Sequence, residues 1–169
     1  MTRGLVVRDA LPTERNAVRD LTLRAYAEYA TVMAPDSWAG LAAAVEAALA
    51  SADPMERIVA DDEGTLIGSV LLYPPSVRAY GDLAGAASNP ELRLLAVAPE
   101  ARGRGVGRAL VDECIRRARR DGATALGLHT SRSMVTAVEL YRRMGFARAP
   151  ELDFRPPGAE LVEGYRLKL

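Results

Sequence analysis

Between Arg102 and Gly107 the chain reads Arg-Gly-Arg-Gly-Val-Gly. Glycines at three alternate positions let the backbone approach an oxygen-rich ligand with no Cβ in the way. The helix predicted to follow would add unpaired N–H groups and the positive end of its dipole. That is the chemistry of a phosphate or pyrophosphate seat. No Gly-Lys-Ser or Gly-Lys-Thr follows, which excludes a P-loop. A dinucleotide fold would want the unit near the start of an alternating parallel sheet and an acidic residue closing the next strand, but that strand ends at His129-Thr130.

Few side chains could do covalent chemistry. There is one cysteine (Cys114), one histidine (His129) and one lysine (Lys168). A single cysteine excludes an intramolecular disulfide framework and a multi-cysteine zinc site, and a single histidine excludes a His-rich centre, so no metal is expected. Cys114 falls on the inward face of a predicted helix, where a free cysteine behaves as a small hydrophobe. All basic residues other than Lys168 are arginines, which bind anions but cannot act as bases.

These residues need a scaffold. Leu5 to Arg8 reads as a strand, and Val18, Leu21, Ala25 and Tyr29 recur at helical spacing over 13–30. Pro35-Asp36-Ser37 caps a second helix with Trp38, Leu41, Val45 and Leu49 on one face. Runs 57–60 and 65–73 flank an acidic glycine turn as a hairpin, and a long loop extends from Pro74 to Pro90. Leu92 to Val97 is a strand leading into the glycine run. The helix after it turns Leu110, Cys114 and Ala118 inward, with Asp112–Arg116 and Glu113–Arg117 as outer pairs. Ala123 to Thr130 is a strand, Ser131 or Ser133 caps a helix through Met144, and Glu163 to Leu169 closes the sheet. The result is one mixed α/β domain over 1–169.

Two segments carry a resemblance. Residues 92–110, with Arg102, Gly105 and Gly107 at its named positions, resemble the acyl-CoA motif of the GCN5-related N-acetyltransferase (GNAT) superfamily. Ala137-Val138-Glu139-Leu140-Tyr141-Arg142-Arg143-Met144-Gly145-Phe146 is similar to that family's Ala-x-x-Leu-Tyr-x-x-x-Gly-Phe segment. The resemblance implies a mixed, mostly antiparallel sheet with a splayed central strand pair, flanked by helices. It implies acetyl-CoA as cosubstrate, with Leu95, Ala96 and Val97 along the pantetheine arm and pyrophosphate held by N–H groups from Arg102 through Gly103, Arg104, Gly105, Val106, Gly107 and Arg108 to Ala109. Tyr141 matches the tyrosine that protonates the departing thiolate, and Glu91 the glutamate that serves several members as general base. Ala137 faces the arm. So does Met134, which stands where the family often has asparagine and which is read on the helical face of Ala137 and Tyr141. Tyr26, Tyr29 and Trp38 belong to the helices that wall the acceptor site in this family, and His129 is a second candidate base. Direct attack by an amine needs no covalent enzyme intermediate, consistent with a chain so poor in nucleophile–base pairs.

The implied activity is acetyl transfer to a primary amine, of a small molecule first and of a protein or peptide second. A non-catalytic acyl-CoA sensor is the alternative of another class. The 49% hydrophobic and 26% charged residues are ordinary globular composition, and 22 basic residues balance 22 acidic ones. This argues against binding nucleic acid by bulk charge. With no signal-like N-terminus and no apolar run near 20 residues, a cytoplasmic protein without membrane contact is expected. A homodimer stays open. The neutrality conceals an acidic excess before residue 93 and an equal basic excess after it, which predicts a cationic cofactor side and an anionic acceptor side.

Overall fold

The computed structural model describes residues 4–75 and 88–169, so most of the long loop after Pro74 lies outside the described residues. Its seven strands are β1 (Leu5–Asp9), β2 (Glu56–Asp62), β3 (Thr65–Tyr73), β4 (Glu91–Val97), β5 (Ala125–Thr130), β6 (Ala147–Arg148) and β7 (Glu163–Lys168). They form one sheet in the order β1-β2-β3-β4-β5-β7-β6. Every neighbouring pair is antiparallel except β4 and β5.

Four helices flank the sheet: α1 (Arg15–Tyr26), α2 (Pro35–Ala50), α3 (Val106–Arg120) and α4 (Val135–Arg143). α1 is shorter than the periodicity predicts, because 3₁₀ turns at Pro12–Glu14 and Ala27–Thr31 take up both ends. α2 starts with Pro35 inside its first turn and has no side-chain cap, so Ser37 is a buried helical residue instead. Neither serine caps α4. Ser131 and Ser133 both donate to the Glu160 carboxylate, and Met134 takes the cap position with a non-helical backbone. Met134 therefore stands one step outside α4, and its sulfur accepts from Thr130 Oγ1 at 3.5 Å.

The larger core cluster lies where β3, β4 and β5 meet α3 and α4; Leu92, Leu110, Cys114, Leu126 and Leu128 are at most 1% exposed there. A smaller cluster on the other face joins Val45 and Ala48 of α2 to Leu71, Tyr73 and Leu94. On α3, Arg116 turns back to Glu113 while Asp112 faces Arg108, so the expected Asp112–Arg116 pair does not form. Glu113 does pair with Arg117, but Arg117 is buried rather than outward, and it also reaches Asp9 and Glu56.

One irregularity shapes the centre. Ser69 pairs with Ala96 and Leu71 with Arg93, so Val70 alone on β3 spans two residues, Leu94 and Leu95, on β4. This is a β-bulge, and Leu94 adopts φ +55° to make it. Strict alternation is broken: Leu92 packs with the α3-side core and Leu94 with the opposite cluster, while Leu95 and Val97 return to the α3 side. β4 and β5 pair only at Glu91–Gly127 and Leu92–Leu128 and then part, giving the expected splay. Among the described residues no helix is long and apolar enough to cross a membrane.

Candidate active site

Beyond Leu92 the diverging strands open into a cleft of about 390 Å³ between β4, the glycine loop, the end of α1 and one face of α4. Leu95, Ala96 and Val97 line it. Along this stretch β4 pairs with β3 on one side only, so backbone groups aimed at the gap form a short open ladder edge. An extended ligand bearing amides can complete such an edge.

The glycines serve two different needs. Gly103 and Gly105 have φ of +75° and +79°, and a Cβ on either would meet nothing within 4 Å, so they are required by conformation. Gly105 is the N-cap of α3 and supplies no capping side chain. Helix geometry therefore leaves the N–H groups of Val106, Gly107 and Arg108 without carbonyls behind them, and these three residues line the cleft. Gly107 is limited by space instead, since its Cβ would stand a tight 3.3 Å from Leu140 Cδ2 and 3.6 Å from Val97 Cγ2. Ala109 drops out of the predicted anion set because its N–H already donates to the Gly105 carbonyl at 3.0 Å.

The arginines divide as well. Arg102 lines the cleft, but its guanidinium donates to Glu28 Oε2 at 2.5 Å and to the Ala25 carbonyl at 3.2 Å, fastening the loop to the end of α1. Arg104 turns away to Asp62 at 2.6 Å. These pairs, with Arg24–Glu100 and Arg120–Glu56, join the acidic first half of the chain to the basic second half, so the two halves do not keep their charges apart. Arg108 on the cleft wall is 3.7 Å from Asp112, and Arg143 donates its Nε–H to the Glu139 carbonyl at 3.3 Å, with the Glu139 carboxylate 3.8 Å away. Arg143, Thr136 and Leu140 were not singled out from the sequence, although they recur at i, i+4 and i+7, the spacing of one helix face.

Tyr26 and Tyr29 reach the cleft from α1 and the turn after it, edge to face at 5.5 Å. Burial raises both phenols above the usual tyrosine value. Trp38 is half-buried on α2 and Met134 half-buried before α4, and neither is on the cleft wall. Tyr141 sits behind the wall, 5% exposed, with its ring edge to Phe146 at 5.7 Å. Glu91 and His129 are buried at the base of the fork, 3.4 Å apart. Burial pushes the Cys114 thiol up to about 12, which removes it as a nucleophile at neutral pH.

A ladder edge running into an uncapped helix N-terminus is a shape that suits a long, phosphate-bearing ligand. The chain belongs to the acetyltransferase (GNAT) family, whose pattern it matches over residues 16–146. It is 36% identical over 110 residues to mycothiol acetyltransferase of Cellulomonas flavigena, covering 63% of this chain and 31% of that protein. It is 41% identical over 80 residues to streptothricin acetyltransferase of Streptomyces lavendulae, covering 43% and 42%. The chain thus matches less than half the length of these relatives. Among solved structures, PaiA N-acetyltransferase of Thermoplasma acidophilum in complex with coenzyme A superposes with a TM-score of 0.70 at 17% identity over 100% of both chains. The ribosomal-protein-S18-alanine N-acetyltransferase of Escherichia coli gives 0.65 at 19% identity, over 97% and 93%.

Proposed function

We propose that this protein is an N-acetyltransferase that moves the acetyl group of acetyl-CoA to a primary amine of a small molecule by direct attack in a ternary complex. The observation that carries this reading is the continuity of the open β4 edge with the N-terminus of α3 in one cleft. An amide-bearing arm can lie along the edge while its pyrophosphate reaches the N–H groups of Val106, Gly107 and Arg108. Gly107 keeps the floor of that cradle free of a Cβ, and Arg108 and Arg143 add cations at its wall. Bound acetyl-CoA would supply a thioester carbonyl open to nucleophilic attack.

The chain's own residues must manage protons. An alkylammonium has to lose one proton before its nitrogen can attack and another once the new C–N bond forms, and Glu91 is the candidate acceptor. As the C–S bond breaks, the departing sulfur gains a proton, for which the Tyr141 hydroxyl is the candidate donor. Relatives named for mycothiol and streptothricin support a small-molecule acceptor.

Calorimetry with acetyl-CoA, then thiol release across polyamines, amino acids, aminoglycosides and peptides, tests the proposal. Saturable binding with turnover on a small amine is expected. No saturable binding overturns the reading. Binding without turnover on any acceptor makes the protein an acyl-CoA sensor, and turnover on peptides alone moves the acceptor to a protein amine.

A further inference from the structure

Two ionisable side chains face each other at the base of the fork, apart from the cleft wall. Glu91 opens β4 opposite Gly127, and His129 is the first β5 residue past the last parallel pair. Residues 127 and 129 of β5 share a face. A Cβ on Gly127 would lie 3.3 Å from Glu91 Cγ and 3.4 Å from Glu91 Oε1, so the carboxyl group rests across β5 on that face. The two side chains are 7% and 3% exposed, and Glu91 Oε2 stands 3.4 Å from His129 Nδ1. On the far side of the ring, Nε2 is 2.8 Å from the Leu152 carbonyl oxygen. A carbonyl only accepts, so Nε2 carries a hydrogen. Nε2 is therefore committed to Leu152 and Nδ1 faces Glu91 Oε2, whereas Glu91 Oε1 lies toward Gly127.

We infer that Glu91 and His129 form a carboxylate–imidazole couple in which Glu91 takes the acceptor amine's proton and His129 is a positioning residue, fixing the carboxylate at the fork and balancing its charge. This deepens the acetyltransferase reading and rests on it. The proton leaving the amine nitrogen passes through water to Glu91 Oε1, set back from the cleft wall, and returns to bulk water after the product departs, so nothing is oxidised or reduced. The Phe154 ring, 5.2 Å from the imidazole, shields one side. Ionisable groups around the couple are Tyr73 of β3, paired with Glu91, Arg93 of β4, Arg166 of β7, paired with Gly127, and Asp153. Arg148 holds the Asp153 carboxyl down to about 2, so it stays charged at working pH.

The test compares wild type, Glu91→Gln, His129→Gln and the double variant. Glu91→Gln is expected to lower kcat by about 100-fold. His129→Gln is expected to lower kcat by roughly 10-fold and to shift the acid limb of the kcat profile while acetyl-CoA affinity holds. The double variant should be no slower than Glu91→Gln. His129 is the single histidine, so its ring protons report on it without ambiguity in NMR. In Glu91→Gln, with no substrate present, their resonances should shift, because the group 3.4 Å from Nδ1 changes from a carboxylate to an amide. If His129→Gln does not fold, Gly127→Ala displaces the carboxylate from beneath and should lower kcat with acetyl-CoA affinity retained. Identical His129 ring-proton resonances in wild type and Glu91→Gln, or losses that multiply in the double variant, overturn the couple. Absence of wild-type turnover on every amine overturns the acetyltransferase reading instead, and the NMR comparison still judges the couple.

Discussion

Alanine at Gly107 and alanine at Gly105 should fail in opposite ways. At Gly107 the backbone is helical, so alanine gains up to about 1 kcal/mol of helix propensity. Its methyl would meet Leu140 Cδ2 at 3.3 Å, tight by a few tenths of an ångström against a side chain on the open cleft that can yield. Stability should therefore change by less than about 1 kcal/mol, a Tm shift within roughly 4 °C for a chain this size. The methyl would nonetheless stand on the floor of the phosphate cradle. Losing one charge-assisted N–H contact costs about 1.5 kcal/mol, which is roughly tenfold in Kd for acetyl-CoA. At Gly105 a Cβ meets no atom within 4 Å, but φ of +79° costs a non-glycine residue roughly 1–2 kcal/mol. Gly105→Ala should thus lose about 2–8 °C in Tm and bind acetyl-CoA nearly as wild type while folded. Thermal melts and calorimetry on the two purified variants supply both numbers. A Gly107→Ala protein that binds as wild type, beside a Gly105→Ala protein that loses affinity but no stability, would refute the division of the glycines into one set by space and one set by conformation.

Tyr141→Phe keeps the ring packed on Phe146, so the fold and acetyl-CoA affinity should hold while kcat falls by roughly 10- to 100-fold; steady-state kinetics beside calorimetry decide it, and unchanged kcat removes Tyr141 from the chemistry. Arg148, followed by the Gly164 N–H, depresses the Asp153 carboxyl from 3.8 to about 2. A depressed folded value means stability that is complete above about pH 4 and is lost as pH falls toward 2, amounting to at most about 2 kcal/mol. Asp153→Asn should flatten that part of a Tm-against-pH curve, and an unaltered slope would remove the pair from the acid response. Cys114, the single cysteine, is 0% exposed, so thiol labelling in native buffer should proceed at the rate of unfolding; prompt stoichiometric labelling would contradict its burial.

The parts legible in the sequence are those whose cause is local. A hairpin announced by Asp61-Asp62-Glu63-Gly64, an amphipathic α3 and a glycine-spaced turn each carry their instructions within a few residues. Interactions between distant segments left no comparable trace. That Arg102 would be fastened to Glu28, 74 positions away, or Arg104 to Asp62, follows only once α1 and the β2–β3 turn flank the loop. Ser131 has the composition of a helix cap, yet the arrival of Glu160 gives its hydroxyl a charged partner that an amide cannot match. Two-residue β6 is too short for any periodicity to reveal. Arg143 is the contrary case: its spacing from Ala137 and Leu140 was visible, but only the cleft gives that face a purpose.

The bulge at Leu94 also says where this chain can bear insertions and deletions. Loops at the rim of a sheet usually accept a residue more or less, whereas strand interiors do not. Here the relation is sharper. Deleting either Leu94 or Leu95 would restore two-residue alternation along β4 and return its far end to register with β3. A single supernumerary leucine, kept in a backbone conformation that leucine rarely adopts, thus lets one strand send Leu92, Leu95 and Val97 to the α3-side core and Leu94 to the cluster on the opposite face.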